Sequence, residues 1–149
     1  MTEFQKMKNT PKTTQLTGKK TKQKPIHLRE FPGTYSVVRL DPNSEIPIWA
    51  YKSLFFSISK TDDELSVVCE SSVIPEGDFK REDDWKCIKV AGPLDFSLTG
   101  ILSSIAGPLA AAKISIFAIS TFDTDYILVK QNNLSEAKAV LKKAGFDFS

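Results

Sequence analysis

The order of periodic segments after residue 84 constrains the fold more than any other feature of this chain. Residues 85–90 (WKCIKV) alternate as a strand, with Trp85, Cys87 and Lys89 on one face and Lys86, Ile88 and Val90 on the other. Apolar side chains fall on both faces, which fits a strand covered on both sides. In residues 99–112, Ile101, Leu102, Ile105, Leu109 and Ala112 recur at helical spacing. Pro108 lies inside this helix and is expected to kink it or to start a second short turn. Residues 114–120 and 126–130 read as strands, joined by residues 121–125 (TFDTD). Residues 134–144 form an amphipathic helix, with Leu134, Ala137, Val140, Leu141 and Ala144 facing the core and Gly145 as the C-cap. Residues 146–148 add a last short strand. The succession strand–helix–strand–strand–helix–strand is the split βαβ order of the ferredoxin-like α+β fold.

The first half repeats this order in reduced form. Residues 34–40 (TYSVVRL) are rich in β-branched side chains and end at the Asp41-Pro42 turn signal. Residues 47–51 (PIWAY) read as a short helical turn. Residues 53–60 (SLFFSISK) and 64–70 (ELSVVCE) read as a hairpin turning at residues 61–63. Residues 71–84 read as polar and irregular, with Pro75 and Gly77 as breakers. Identity between the halves is slight, so their kinship rests on the order of elements alone.

Charge separates the N-terminus from the rest. Residues 1–25 carry seven lysines against Glu3, a net +6, and the remaining residues carry −4, which leaves the formal +2 of the 149-residue chain. Residues 1–26 lack apolar periodicity and read as a disordered Lys-rich tail. Such a tail is either a polybasic arm for nucleic acid or anionic lipid, or a solvated extension. Without Arg or a stacking platform the second reading is preferred, and nucleic acid is not an expected partner. No apolar run reaches the ~18 residues of a membrane span, and residues 1–8 contain no secretory h-region. Two cysteines, Cys69 and Cys87, make neither a disulfide framework nor a zinc site. These features point to a reduced, cytoplasmic setting, with no metal, no cofactor and no membrane.

Catalysis finds little support. Nucleophilic chemistry needs a nucleophile, a base and an orienting group. The single histidine, His27, stands at the edge of the tail, and both cysteines lie inside strands, where thiols are usually buried and inert. The acid clusters at residues 62–64 and 82–84 read as solvated turns. Gly92-Pro93 and Gly107-Pro108 lack the glycine spacing of a phosphate loop. No catalytic residue is assigned, and an enzyme is not expected.

One constellation points to binding. Residues 92–101 (GPLDFSLTGI) join a strand to a helix N-terminus, where unpaired amides carry positive partial charge. Ser97 or Thr99 can cap this helix, and Gly100 lets a ligand approach the backbone. Residues 120–125 (STFDTD) are a polar hairpin tip. In the split βαβ topology both segments leave adjacent central strands. Amides there suit a carboxylate and acids suit an ammonium, which is the chemistry of a free amino acid. Ordinary helix capping and an ordinary Asp-rich turn account for the same residues.

The stretches FPGTYSVVRL, LSVVCE, GPLDFSLTGILSSIAGPLAAAKISIFAISTFDTDYILVK and the final amphipathic helix carry a family resemblance. Residues 85–145 resemble the ACT domain, a small ligand-binding module attached to many enzymes of amino-acid metabolism. Residues 31–149 resemble a paired-ACT family of short bacterial proteins and the repeats of cytosolic arginine sensors. The resemblance implies two ACT-like units packed together, a reduced one over residues 27–84 and an ACT domain over residues 85–149. It implies an antiparallel sheet with helices on one face. Carried over position by position, the ligand site comprises Leu98, Thr99, Gly100 and Ile101 from the loop entering the helix. Thr121, Phe122 and Asp125 join it from the hairpin, and Asp123 is added to the site as an acid able to compensate for the one missing at Leu98. The sensors carry an acid used in ligand recognition where this chain has Leu98, which leaves the ligand open between arginine and a neutral or apolar amino acid. The implied function is a non-catalytic regulatory module. It binds a small amino acid or related metabolite, is homodimeric, and acts on a partner protein the sequence does not identify. The alternative is a structural or protein-interaction module without a small ligand.

Overall fold

The computed structural model describes residues 25–92 and 100–149. Seven strands make one sheet: β1 (His27–Leu40), β2 (Ser57–Lys60), β3 (Leu65–Glu70), β4 (Lys80–Val90), β5 (Ile116–Ser120), β6 (Asp125–Lys130) and β7 (Asp147–Phe148). Two α-helices accompany it, α1 (Ile101–Ala111) and α2 (Leu134–Lys143), with 3₁₀ turns at Ile48–Lys52, Ser71–Val73 and Gln131–Asn133. The strand order is β2-β3-β1-β4-β6-β5, and β7 pairs in parallel with the start of β1. The antiparallel β1/β4 pair is the spine, with one hairpin on each flank. This is the ACT-type α+β architecture, ferredoxin-like in its βαββαβ second half.

Both helices cover one face. Ile105 and Leu109 of α1 and Ala137 and Leu141 of α2 pack on Leu28, Ile88, Val90, Ile127 and Val129. Ile101, Leu102, Ala112, Leu134 and Val140 complete that layer half-buried, while Ala144 is exposed. In the first half, Ala50 and Trp49 of the 3₁₀ turn pack with Val38, Val67 and Cys69. Among the described residues the opposite face carries no α-helix. Tyr35, Val68, Cys87 and Leu128 are buried there beneath Phe31, Phe55, Trp85, Phe117 and Tyr126. The sheet curls enough for its two end strands, β2 and β5, to line one cavity of about 430 Å³ with Ser66 and Val68.

Several expected boundaries shift. β1 begins at His27 and not at residue 34, because it passes through Pro32-Gly33 with a register irregularity between Phe31 and Tyr35. Gly33 supplies the required backbone at φ +104°, and an added Cβ would lie 2.9 Å from Glu70 Oε1. β4 begins at Lys80, inside the segment expected to be irregular. Its charged start is paired in register with Val37, Val38 and Arg39 of β1. β2 spans only Ser57–Lys60, since Ser53 closes the 3₁₀ turn and its hydroxyl donates to the Phe55 carbonyl. The turn at residue 61 forms as expected, with Thr61 N–H donating to the Glu64 carbonyl. The N-cap of α1 is Gly100 without a side-chain cap bond, and Ser97 and Thr99 lie outside the described residues, as does the tail through residue 24. No described helix is long and apolar enough to cross a membrane.

Candidate functional site

The hairpin tip between β5 and β6 is organised by its own threonines. Thr121 N–H and its hydroxyl both donate to the Thr124 carbonyl, at 2.9 and 3.0 Å. Thr124 is buried, and its hydroxyl donates to the Val90 carbonyl at 2.7 Å. That bond ties the tip to the last residue of β4. The Ser120 hydroxyl donates to Asp125 Oδ1 at 2.5 Å, which keeps one carboxylate oxygen engaged.

The expected site residues divide as follows. Leu98 and Thr99 lie outside the described residues. Gly100 opens α1 at φ +78°, is exposed, and has open space where a Cβ would stand. Ile101 is half-buried and packs on the helix-face core, so its side chain is committed to packing. Thr121, Phe122 and Asp123 are exposed at the tip, and Asp125 is half-buried. The structure therefore groups residues 121–125 with the end of β4, and sets Gly100 at the start of the helix that follows that strand.

Thr124 was not singled out by sequence reasoning, because a threonine in a polar turn carries no signal of its distant acceptor. A basic groove at the same end of the sheet was also missed. It is lined by His27, Arg29, Lys89, Ala91, Gly92 and Ser149 and encloses about 360 Å³. The β1/β4 register brings it together, with Arg29 opposite Lys89.

The described residues carry little reactive chemistry. Burial pushes the Cys69 thiol up to about 11 and the Cys87 thiol up to about 12, so both stay protonated at neutral pH. His27 is exposed and shares a hydrogen bond with the Ser149 hydroxyl at 2.8 Å. Among the described residues no group of three or more His, Cys, Asp or Glu is placed to hold a metal ion.

Comparison with known proteins places this geometry. A family model described as the ACT domain matches residues 80–143. A second model, of an N-terminal domain, matches residues 33–77. The human protein named cytosolic arginine sensor for mTORC1 subunit 1 is 43% identical over 60 residues, 40% of this chain and 18% of that protein. The match thus spans less than a fifth of that curated relative. A solved structure of an Agrobacterium tumefaciens protein is 40% identical with a TM-score of 0.79, over 85% of this chain and 94% of that one. Aspartate kinase from Clostridium acetobutylicum shares the fold at 13% identity and a TM-score of 0.57, over 85% of this chain and 37% of the kinase.

Proposed function

The chain belongs to the ACT-domain family, and from that membership we propose a non-catalytic regulatory module that binds a small amino acid or related metabolite between ACT units. The units are a reduced one over residues 27–84 and an ACT domain over residues 85–149. The pairing that completes the crevice is a homodimer, working in the cytoplasm on a partner protein. The single observation that carries this reading is the Thr124–Val90 bond, which anchors the hairpin tip to the end of β4. Carboxylates of Asp123 and Asp125 then suit an ammonium, while the amides opening α1 at Gly100 suit a carboxylate. Leu98, Thr99, Ile101, Thr121 and Phe122 complete the proposed lining. The relatives named above support the class of ligand. Ligand binding shifts the population of the paired state that a partner reads.

Calorimetry of the full chain against each of the twenty amino acids tests this. At least one should bind with sub-millimolar affinity, and Asp125→Ala should weaken it by about tenfold through loss of a charge-assisted hydrogen bond. Absence of any such binding removes the proposal. A second reading, a protein-interaction module without a ligand, is favoured by one observation. Ile48, Tyr51 and Leu54 are 81%, 64% and 69% exposed around the first 3₁₀ turn. A chain that self-associates yet binds no amino acid would support that reading instead.

A further inference from the structure

We propose that the groove at the His27 end of the β1/β4 pair is a binding site for a small multivalent anion, a dicarboxylate or a phosphate. The argument starts from register. Arg29 and Lys89 are direct partners across β1 and β4, and like charges placed opposite one another oppose sheet formation. Both alternate with Leu28, Ile88 and Val90 of the helix-face core, so both lie on the helix-free face. His27 is two residues from Arg29 on that same face and also lines the groove.

The arrangement differs from the chain's other cross-strand cation pair. Arg39 faces Lys80 at the far end of the same two strands. There the Arg39 guanidinium donates to the Asp63 carbonyl at 2.8 Å and lies 4.0 Å from Glu64. Arg29 has no ion pair or side-chain hydrogen bond among the described residues. Among the described residues Lys89 has only the ring of Tyr126, with Nζ 5.7 Å from its centre. Two nearby acids have partners of their own. Glu30 is bonded to Lys138 at 2.6 Å, and Asp125 accepts from Ser120. Asp147 stands opposite His27 in the β1/β7 register without an ion pair to it. Among the described residues, no acidic side chain lines the groove.

Arg29 and Lys89, neither of them ion-paired among the described residues, form a positive field at a concave surface that His27 also lines. A guanidinium presents paired donors to two oxygens of one anion, and the lysine adds a point charge. The volume of about 360 Å³ lies at the small end of ligand pockets, which suits a compact anion. This site is independent of the amino-acid crevice, since it uses none of the residues assigned there.

The test titrates the full chain with succinate, with orthophosphate and with acetate, at constant ionic strength maintained with sodium chloride. Succinate or orthophosphate, or both, should give saturable heat at one site, and the arm that saturates identifies the source of the charge. Arg29→Gln and Lys89→Gln should each weaken binding by about tenfold or more, with unchanged circular dichroism. Binding that survives in both variants overturns the proposal, as does an absence of saturation by either multivalent anion. An equal response to acetate overturns it too. Asp125→Ala should leave anion binding intact, which separates this test from that of the amino-acid crevice.

Discussion

At the scale of single residues, the two helices end alike but with unequal chemistry. After α1, Lys113 N–H donates to the Ala110 carbonyl and Ile114 N–H to that of Leu109. After α2, Gly145 donates to Lys142 and Phe146 to Leu141 in the same pattern. Both turns need a left-handed residue, at φ +60° for Lys113 and +101° for Gly145. Glycine adopts that conformation freely, whereas a residue with a Cβ is strained there by about 1–2 kcal/mol. Gly145 was legible as a cap for this reason, and Lys113 was not. Lys113 is exposed and makes no other bond among the described residues. Lys113→Gly should therefore raise stability by about 0.5–1 kcal/mol, after the larger entropy of the unfolded glycine chain is set against the relieved strain. Urea denaturation of the two proteins reads this as an increased midpoint at unchanged slope.

At the scale of elements, β4 is the strand that local reading undervalues. Its start, KREDD, has the composition of a loop, yet residues 80–82 pair with β1. Part of that charge is met within the strand and part by groups on β1 and β6. Asp83 Oδ1 accepts from the buried Ser36 hydroxyl at 2.5 Å and from Arg81 Nε at 2.7 Å. Lys130 of β6 reaches the Asp83 carbonyl at 2.6 Å and Glu82 at 3.4 Å. Asp84 then turns the strand at φ +66°, ahead of the Trp85 alternation that the sequence displays. The Ser36 hydrogen bond holds the Asp83 carboxyl below its ordinary value of 3.8, with Arg81 and Lys130 adding to the effect against the opposing influence of burial. The sign follows from linkage. A carboxylate depressed in the folded state contributes stability above its unfolded pKa, and that contribution is lost as pH falls through the folded value. Asp83→Asn should therefore be destabilised relative to the parent at neutral pH. The gap should narrow as the pH falls below 3.8. Urea midpoints measured across that range check it.

At the scale of the whole molecule, the two halves repeat in bonding more than in residues. The Thr61–Glu64 and Thr121–Thr124 backbone bonds are the same turn, both at 2.9 Å. Tyr35 faces Glu70 across β1/β3 as Trp85 faces Lys130 across β4/β6. Because β1 and β4 pair over most of their length, neither half has a sheet of its own. Unfolding should accordingly be one transition. Trp49 packs in the first half beside Phe79, and Trp85 lies on the spine beside Phe117. Fluorescence of Trp85→Phe and Trp49→Phe variants reports these places separately. After correction for each variant's midpoint by circular dichroism, the fluorescence and dichroism transitions should coincide in both. A fluorescence transition that precedes the dichroism in one variant would show that half melting alone.

The sequence by itself determined the succession of strands and helices in the second half, the two hairpins and the amphipathic face of α2. Those features follow from side-chain periodicity, which a short segment carries within itself. It also placed the polar turn at residues 121–125, because such a turn interrupts two apolar strands. Tertiary structure alone decided that β1 runs on through Pro32-Gly33, that the acidic start of β4 is a strand, and that Thr124 fastens the turn to Val90. It alone set Arg29 opposite Lys89. Each of these depends on register between residues far apart in the chain, where a partner supplies the hydrogen bond or the charge. No local pattern encodes that partner.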